Sequence, residues 1–161
     1  MEEGIYVPQL SFREVTNENF KAIRKLSSTL TPEQQKCVAD NASSLAQAYL
    51  NQADAWPRAV YLDETPIGFI MLHLHPDEMP EEDKPALYLW RFMIGGEYQG
   101  KGYGKQVLDM LLEKCRAEGK KTLYLSCHTD GPMPYRFYIK YGFVDTGVRD
   151  GDEEVLKIDV K

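Results

Sequence analysis

The chain is predicted to fold as an α/β protein, a mixed and mostly antiparallel sheet with one central parallel strand–helix–strand crossover and helices on both faces. Three observations lead there. Short apolar runs of strand length alternate with stretches of helical period along 161 residues. Two strand-like runs, residues 87–94 and 122–127, flank one long helical stretch from about Gly102 to Glu118, and such a unit closes as a right-handed parallel crossover. Short turns at residues 63–66 and at Asp150-Gly151 mark hairpins, which are antiparallel.

Taken in order, residues 10–15 read as a first strand. Thr16 or Asn17 caps a helix whose apolar residues fall at Phe20, Ile23, Leu26 and Leu30. The next helix opens on a capping box, Thr31 with Gln34. Pro32 stands at its first position, where a missing N–H costs nothing. Val38, Ala42, Leu45 and Tyr49 give that helix an apolar stripe. Residues 59–62 and 67–74 form a hairpin, the second strand apolar on both faces as a central strand is. A polar loop with prolines follows, and then the strand at 87–94. The long helix turns Val107, Leu108, Leu111, Leu112 and Cys115 to the core and stops at Gly119. After the strand at 122–127, a short helix runs from about Pro134 to Tyr141 and ends at Gly142. Two last strands, 143–148 and 153–160, complete the sheet.

No linker or repeat divides the chain, so residues 1–161 are expected to form one domain. Hydrophobic content of 43% and charged content of 27% are those of a soluble globular protein. No apolar run is long enough to cross a membrane, and no basic, apolar leader suggests export. Cys37, Cys115 and Cys127 are odd in number and widely spaced, which fits free thiols in the reducing cytoplasm. His73 and His75 alternate along a strand, but two ligands are too few for a metal site, and no metal is expected. The net charge of −6 disfavours nucleic acid as a partner. It suits a cationic substrate or plain solubility.

The most informative stretch is Gln99-Gly100-Lys101-Gly102-Tyr103-Gly104, between a buried strand and the start of the long helix. Alternate glycines let backbone approach a ligand closely. A helix's first turn offers unpaired N–H groups and the positive end of its dipole, which together suit a pyrophosphate. Lys101 and Lys105 add positive charge. The Lys-Ser/Thr ending of a P-loop is missing, and the glycine spacing is not that of a dinucleotide fingerprint.

Gln99 to Gly104 resembles the Gln/Arg-x-x-Gly-x-Gly/Ala signature of the GNAT N-acetyltransferase superfamily. Arg91-Phe92-Met93-Ile94 before the loop and Phe137-Tyr138-Ile139-Lys140-Tyr141-Gly142-Phe143 after the next strand extend the resemblance. Within the superfamily they look most like bacterial diamine and spermine/spermidine acetyltransferases. The resemblance implies a GNAT-type fold, acetyl-CoA as cosubstrate and a small-molecule amine as acceptor. Backbone of Phe92, Met93 and Ile94 would bind the pantetheine arm, and amides of Gln99, Gly100, Lys101, Gly102, Tyr103, Gly104 and Lys105 the pyrophosphate. Tyr138 matches the family tyrosine that protonates the departing thiolate.

The family's asparagine seven residues before that tyrosine is Gly131 here, and the alanine four before is Pro134. Eukaryotic spermidine/spermine acetyltransferases carry acidic residues where this chain has Trp90 and Arg91. For the general base the sequence offers a water chain to Glu97 or Glu14, or solvent itself. Cys127 reads as a buried structural thiol. The acidic loop with Glu81, Glu82 and Asp83 is expected to draw a di- or polyamine. Another small amine, an amino acid, a protein amine, or a non-catalytic acyl-CoA sensor are the alternatives. Homodimers are common in the family, and the sequence leaves the oligomeric state open.

Overall fold

The computed structural model describes residues 4–130 and 134–161. Seven strands make one sheet: β1 (Leu10–Arg13), β2 (Ala55–Leu62), β3 (Thr65–His73), β4 (Ala86–Ile94), β5 (Thr122–Cys127), β6 (Val144–Asp150) and β7 (Glu153–Asp159). Their spatial order is β1-β2-β3-β4-β5-β7-β6, and only the β4–β5 pair is parallel. That pair is the one joined through the long helix α4 (Tyr103–Ala117), as the crossover rule requires.

Each face of the sheet is covered because each helix presents one apolar stripe. On one side Val107, Leu108, Leu111, Leu112 and Cys115 of α4, with Tyr138 of α5 (Tyr135–Tyr141), pack on Leu87, Leu89, Leu123 and Leu125. On the other, Ile23 and Leu26 of α1 (Phe20–Leu26) and Ala48 of α3 (Asn41–Leu50) pack on Ala59, Phe69, Met71 and Met93. A smaller cluster, Ala86, Tyr124 and Val155, lies under Met79 of the 75–85 loop.

One expectation is corrected. The stripe from Val38 to Tyr49 predicts a single helix after Thr31, but the chain makes two. The capping box is present, and α2 (Pro32–Gln35) ends after one turn. Asp40 then starts α3, its carboxylate accepting from the Ser43 N–H at 2.9 Å and the Ser43 hydroxyl at 2.8 Å. An aspartate that satisfies orphan donors this way favours a helix start over a helix interior. Tyr49, counted in the stripe, is 73% exposed. The remaining elements agree with the expected order; α1 is entered at Asn19, without a side-chain cap, and not at Thr16 or Asn17, and β2 begins early, at Ala55.

Candidate active site

The parallel pairing of β4 and β5 runs only from Ala86↔Thr122 to Leu89↔Leu125. Beyond it β4 continues for five residues, held by β3 alone. The pairing of β3 with β4 jumps from Leu72↔Leu89 to Met71↔Arg91, so Trp90 is the extra residue of a β-bulge. A bulge bends its strand and strengthens the local twist, which turns β4 away from β5. The gap opens a cleft of about 1420 Å³ whose wall includes Phe92, Met93 and Ile94, Gln99 and Gly104 of the glycine loop, and Tyr138.

The glycine loop meets α4 at one end of this cleft. Gly100 and Gly102 adopt positive φ of 75° and 86°, the left-handed region that favours glycine. A Cβ at either would meet nothing within 4 Å, so the loop's outer face is open. The N–H groups from Gly100 through Lys105 donate to no acceptor among the described residues. This cradle of free donors at a helix start fits a pyrophosphate. Gly104 serves a different purpose, because a Cβ there would stand 3.2 Å from Phe137 Cζ; its small size lets α4 and α5 approach. The Gln99 side chain donates to the Ile94 carbonyl at 2.9 Å and accepts from Gln34 Nε2 at 3.0 Å, tying the loop to the end of β4. Lys101 is exposed, and Lys105 lies 3.4 Å from Asp109.

Tyr138 is buried against Phe143 and Phe137. Its hydroxyl makes no hydrogen bond with a described residue. Burial, and next the nearby Cys127, push its pKa above the ordinary phenol value. The phenol therefore holds its proton through neutral pH. Cys127 lines the cleft too, and burial, with Glu153 next, pushes its thiol up to about 12. Burial thus favours the neutral thiol over the reactive thiolate there. Of the two departures from the family pattern, Gly131 lies outside the described residues, and Pro134 stands at the N-cap of α5 on the cleft wall.

The cleft wall also carries charged residues. Glu14 and Glu97 are exposed and lie outside its wall, whereas Asp77, Glu78, Asp150 and Glu153 line it. The loop acids named from sequence divide three ways. Glu81 pairs with Lys84 at 2.8 Å and faces a separate shallow depression, and Glu82 lines neither. Asp83 does reach the cleft, but buried, accepting from the Tyr124 hydroxyl and from Lys157 Nζ at 3.0 Å. Those partners, Tyr124 first, hold its carboxyl below the usual range despite burial.

Asp83 thus fastens the 75–85 loop against β5 and β7. Asp83→Ala is expected to lower stability at pH 7 by about 1–3 kcal/mol in urea unfolding, since it strands the buried Tyr124 hydroxyl and the half-buried Lys157. A depressed carboxylate stabilises above its unfolded pKa and loses that as pH falls. The difference between variant and parent should therefore shrink below about pH 3.9. An undiminished difference in acid would place the effect in packing instead.

Arg91 also faces the cleft. It donates to Gln47 Oε1 at 2.8 Å and to the Trp90 carbonyl at 3.1 Å, its Nε is buried without a described partner, and burial pushes its pKa down. Sequence reading missed Ser126, His128, Asp150 and Glu153. Asp150 and Glu153 were seen only as ends of a hairpin turn. Their position follows from register: Cys127↔Glu154 puts the start of β7 beside the end of β5.

Residues 14–143 match the model of the Acetyltransferase (GNAT) family. The chain is 31% identical over 103 residues to a spermine/spermidine N(1)-acetyltransferase of Bacillus subtilis, spanning 63% of this chain and 68% of that protein. An acetyltransferase from Thermus thermophilus superposes with a TM-score of 0.74 at 18% identity, over 96% of this chain and 99% of that one. The PaiA N-acetyltransferase of Thermoplasma acidophilum, solved in complex with coenzyme A, gives 0.66 at 18% identity over 94% and 99%.

Proposed function

Since the chain belongs to the GNAT acetyltransferase family and is an acyltransferase, we propose that it moves an acetyl group from acetyl-CoA to a primary amine, with a di- or polyamine as first acceptor. The observation that carries this reading is the gap between β4 and β5, with the open amides of the glycine loop beside it and Tyr138 and several carboxylates on its wall. Gly100 through Lys105 would hold the pyrophosphate by backbone N–H groups. The free edge of β4 at Phe92, Met93 and Ile94 would bind the pantetheine arm. The bound cosubstrate supplies an activated thioester. Tyr138 donates a proton toward the cleft, at the point where sulfur would depart. A module that only sensed acyl-CoA would have no use for that acid.

The chain acts on this reading as one domain in the cytoplasm. None of its cysteines is paired, and among the described residues no helix is long and apolar enough to cross a membrane. Thiol release from acetyl-CoA across a panel of amines tests the proposal, and a panel without a single acceptor would overturn it. Asp77, Glu78 and Asp150 give a polycation a negative wall, with Glu81 and Glu82 adding to the field. The Michaelis constant for spermidine is expected to rise severalfold between low salt and 0.5 M, because such fields are screened over about 10 Å at 0.1 M. Neutralising Asp77 and Glu78 together should raise it as well, and a monoamine should respond less. Inert polyamines beside an acetylated amino acid would remove the polyamine assignment alone. Arg91 is the observation that favours this second class, since among the described residues it has no carboxylate partner and would pair with an acceptor's carboxylate.

A further inference from the structure

Transfer to an amine needs a base as well as an acid, because the acceptor arrives as an ammonium ion. The cleft holds a histidine. His128 directly follows β5, and its side chain is 23% exposed. Its Nε2 lies 3.6 Å from Glu153 Oε1 and its Nδ1 3.7 Å from Asp152 Oδ2. The Ser126 hydroxyl donates to Glu153 Oε2 at 2.8 Å, fixing the carboxylate that faces the imidazole. All but Asp152 line the same cleft as Tyr138.

Strand geometry separates the two chemistries. Successive residues of β5 point to opposite faces. Cys127 belongs to the core under α4 and α5 together with Tyr138, so Ser126 faces the other side. Glu153, bonded to Ser126, is on that side as well, and His128 Nε2 lies 3.6 Å from it. Acid and histidine therefore approach the β4–β5 gap from opposite faces of the sheet. That leaves room between them for a thioester, with a base on the amine side and an acid beside the sulfur.

We propose that His128 is the general base that deprotonates the acceptor amine, and that Glu153, held by Ser126, is its positioning residue. This rests on the acetyltransferase reading above. The ammonium gives one proton to His128, and its freed lone pair forms the C–N bond to the acetyl carbonyl carbon. The C–S bond breaks with its electron pair on sulfur, which takes the proton of Tyr138. The second proton on nitrogen returns to the tyrosinate, and His128 releases its own to water. The sum is an amide, a thiol and one proton.

The base works only when neutral, so kcat falls as acid protonates it. The charged groups beside it are Asp152 in the turn and Glu153 on β7; Asp150 and Arg149 of β6 and Arg91 of β4 line the same cleft, and Asp130 lies two residues on. His128→Ala is expected to lower kcat about 10²-fold at saturating spermidine, or at saturation with the fastest amine of the panel. Added imidazole should restore part of it, and acetyl-CoA affinity by calorimetry should hold. His128→Asn, closer in size and polarity, should show the same loss. Glu153→Gln removes a charge that favours the imidazolium and should move the acid limb of kcat to lower pH. A His128→Ala protein within twofold of wild type overturns the proposal, as does a loss that imidazole leaves untouched with the Glu153→Gln limb unmoved. A wild-type protein that acetylates no amine overturns the acetyltransferase reading and this one with it.

Discussion

Tyr138→Phe is expected to cut turnover by about 10²-fold or more, the scale of a lost general acid, while acetyl-CoA affinity and stability stay near wild type. The substitution keeps a ring packed against Phe137 and Phe143 and deletes only a hydroxyl with no described hydrogen-bond partner, so it leaves no orphaned group behind. The pH profile adds an independent check. Burial lifts Tyr138 above the ordinary phenol value, so the acid form persists as pH rises. In wild type, turnover should therefore show no basic limb from this residue below about pH 10. Steady-state kinetics with calorimetric coenzyme binding would measure both. Wild-type turnover in the phenylalanine variant would mean that water protonates the sulfur.

Gly102→Glu is expected to weaken acetyl-CoA binding by about 10²-fold or more, through two effects of different origin. With φ at 86°, any side chain at this N-cap strains the loop by about 1–3 kcal/mol. A carboxylate at the mouth of the amide cradle also repels the phosphates those N–H groups would hold. Gly102→Ala carries the strain without the charge, so the difference between the two variants isolates the electrostatic part. No atom lies within 4 Å of the added Cβ, so both variants should fold, which circular dichroism can confirm. Unchanged affinity in a folded Gly102→Glu protein would remove the loop from the coenzyme site.

What sequence alone determined here is whatever local chemistry writes locally. Strand and helix order follow from apolar period. The helix start at Thr31 follows from its capping box, and the glycine loop from residues that tolerate positive φ. Tyr138 could be singled out because it sits in a contiguous motif, which lies within the family match over residues 14–143. Where two local signals competed the reading failed, as at Asp40, whose side chain starts a new helix inside an apolar stripe that seemed continuous.

The charged end of the cleft was decided only by tertiary structure. Glu81, Glu82 and Asp83 are adjacent in sequence, yet Glu81 pairs with Lys84 beside a shallow depression, Asp83 is buried on Tyr124 and Lys157, and Glu82 is left exposed. Ser126, His128 and Glu153 are scattered over a strand end and a hairpin. They meet because β7 pairs antiparallel to β5 in a register that no local pattern specifies. Sequence period tells which residues face a core. Which carboxylate faces which imidazole depends on strand pairing across the sheet, which arises from the packing of the whole chain.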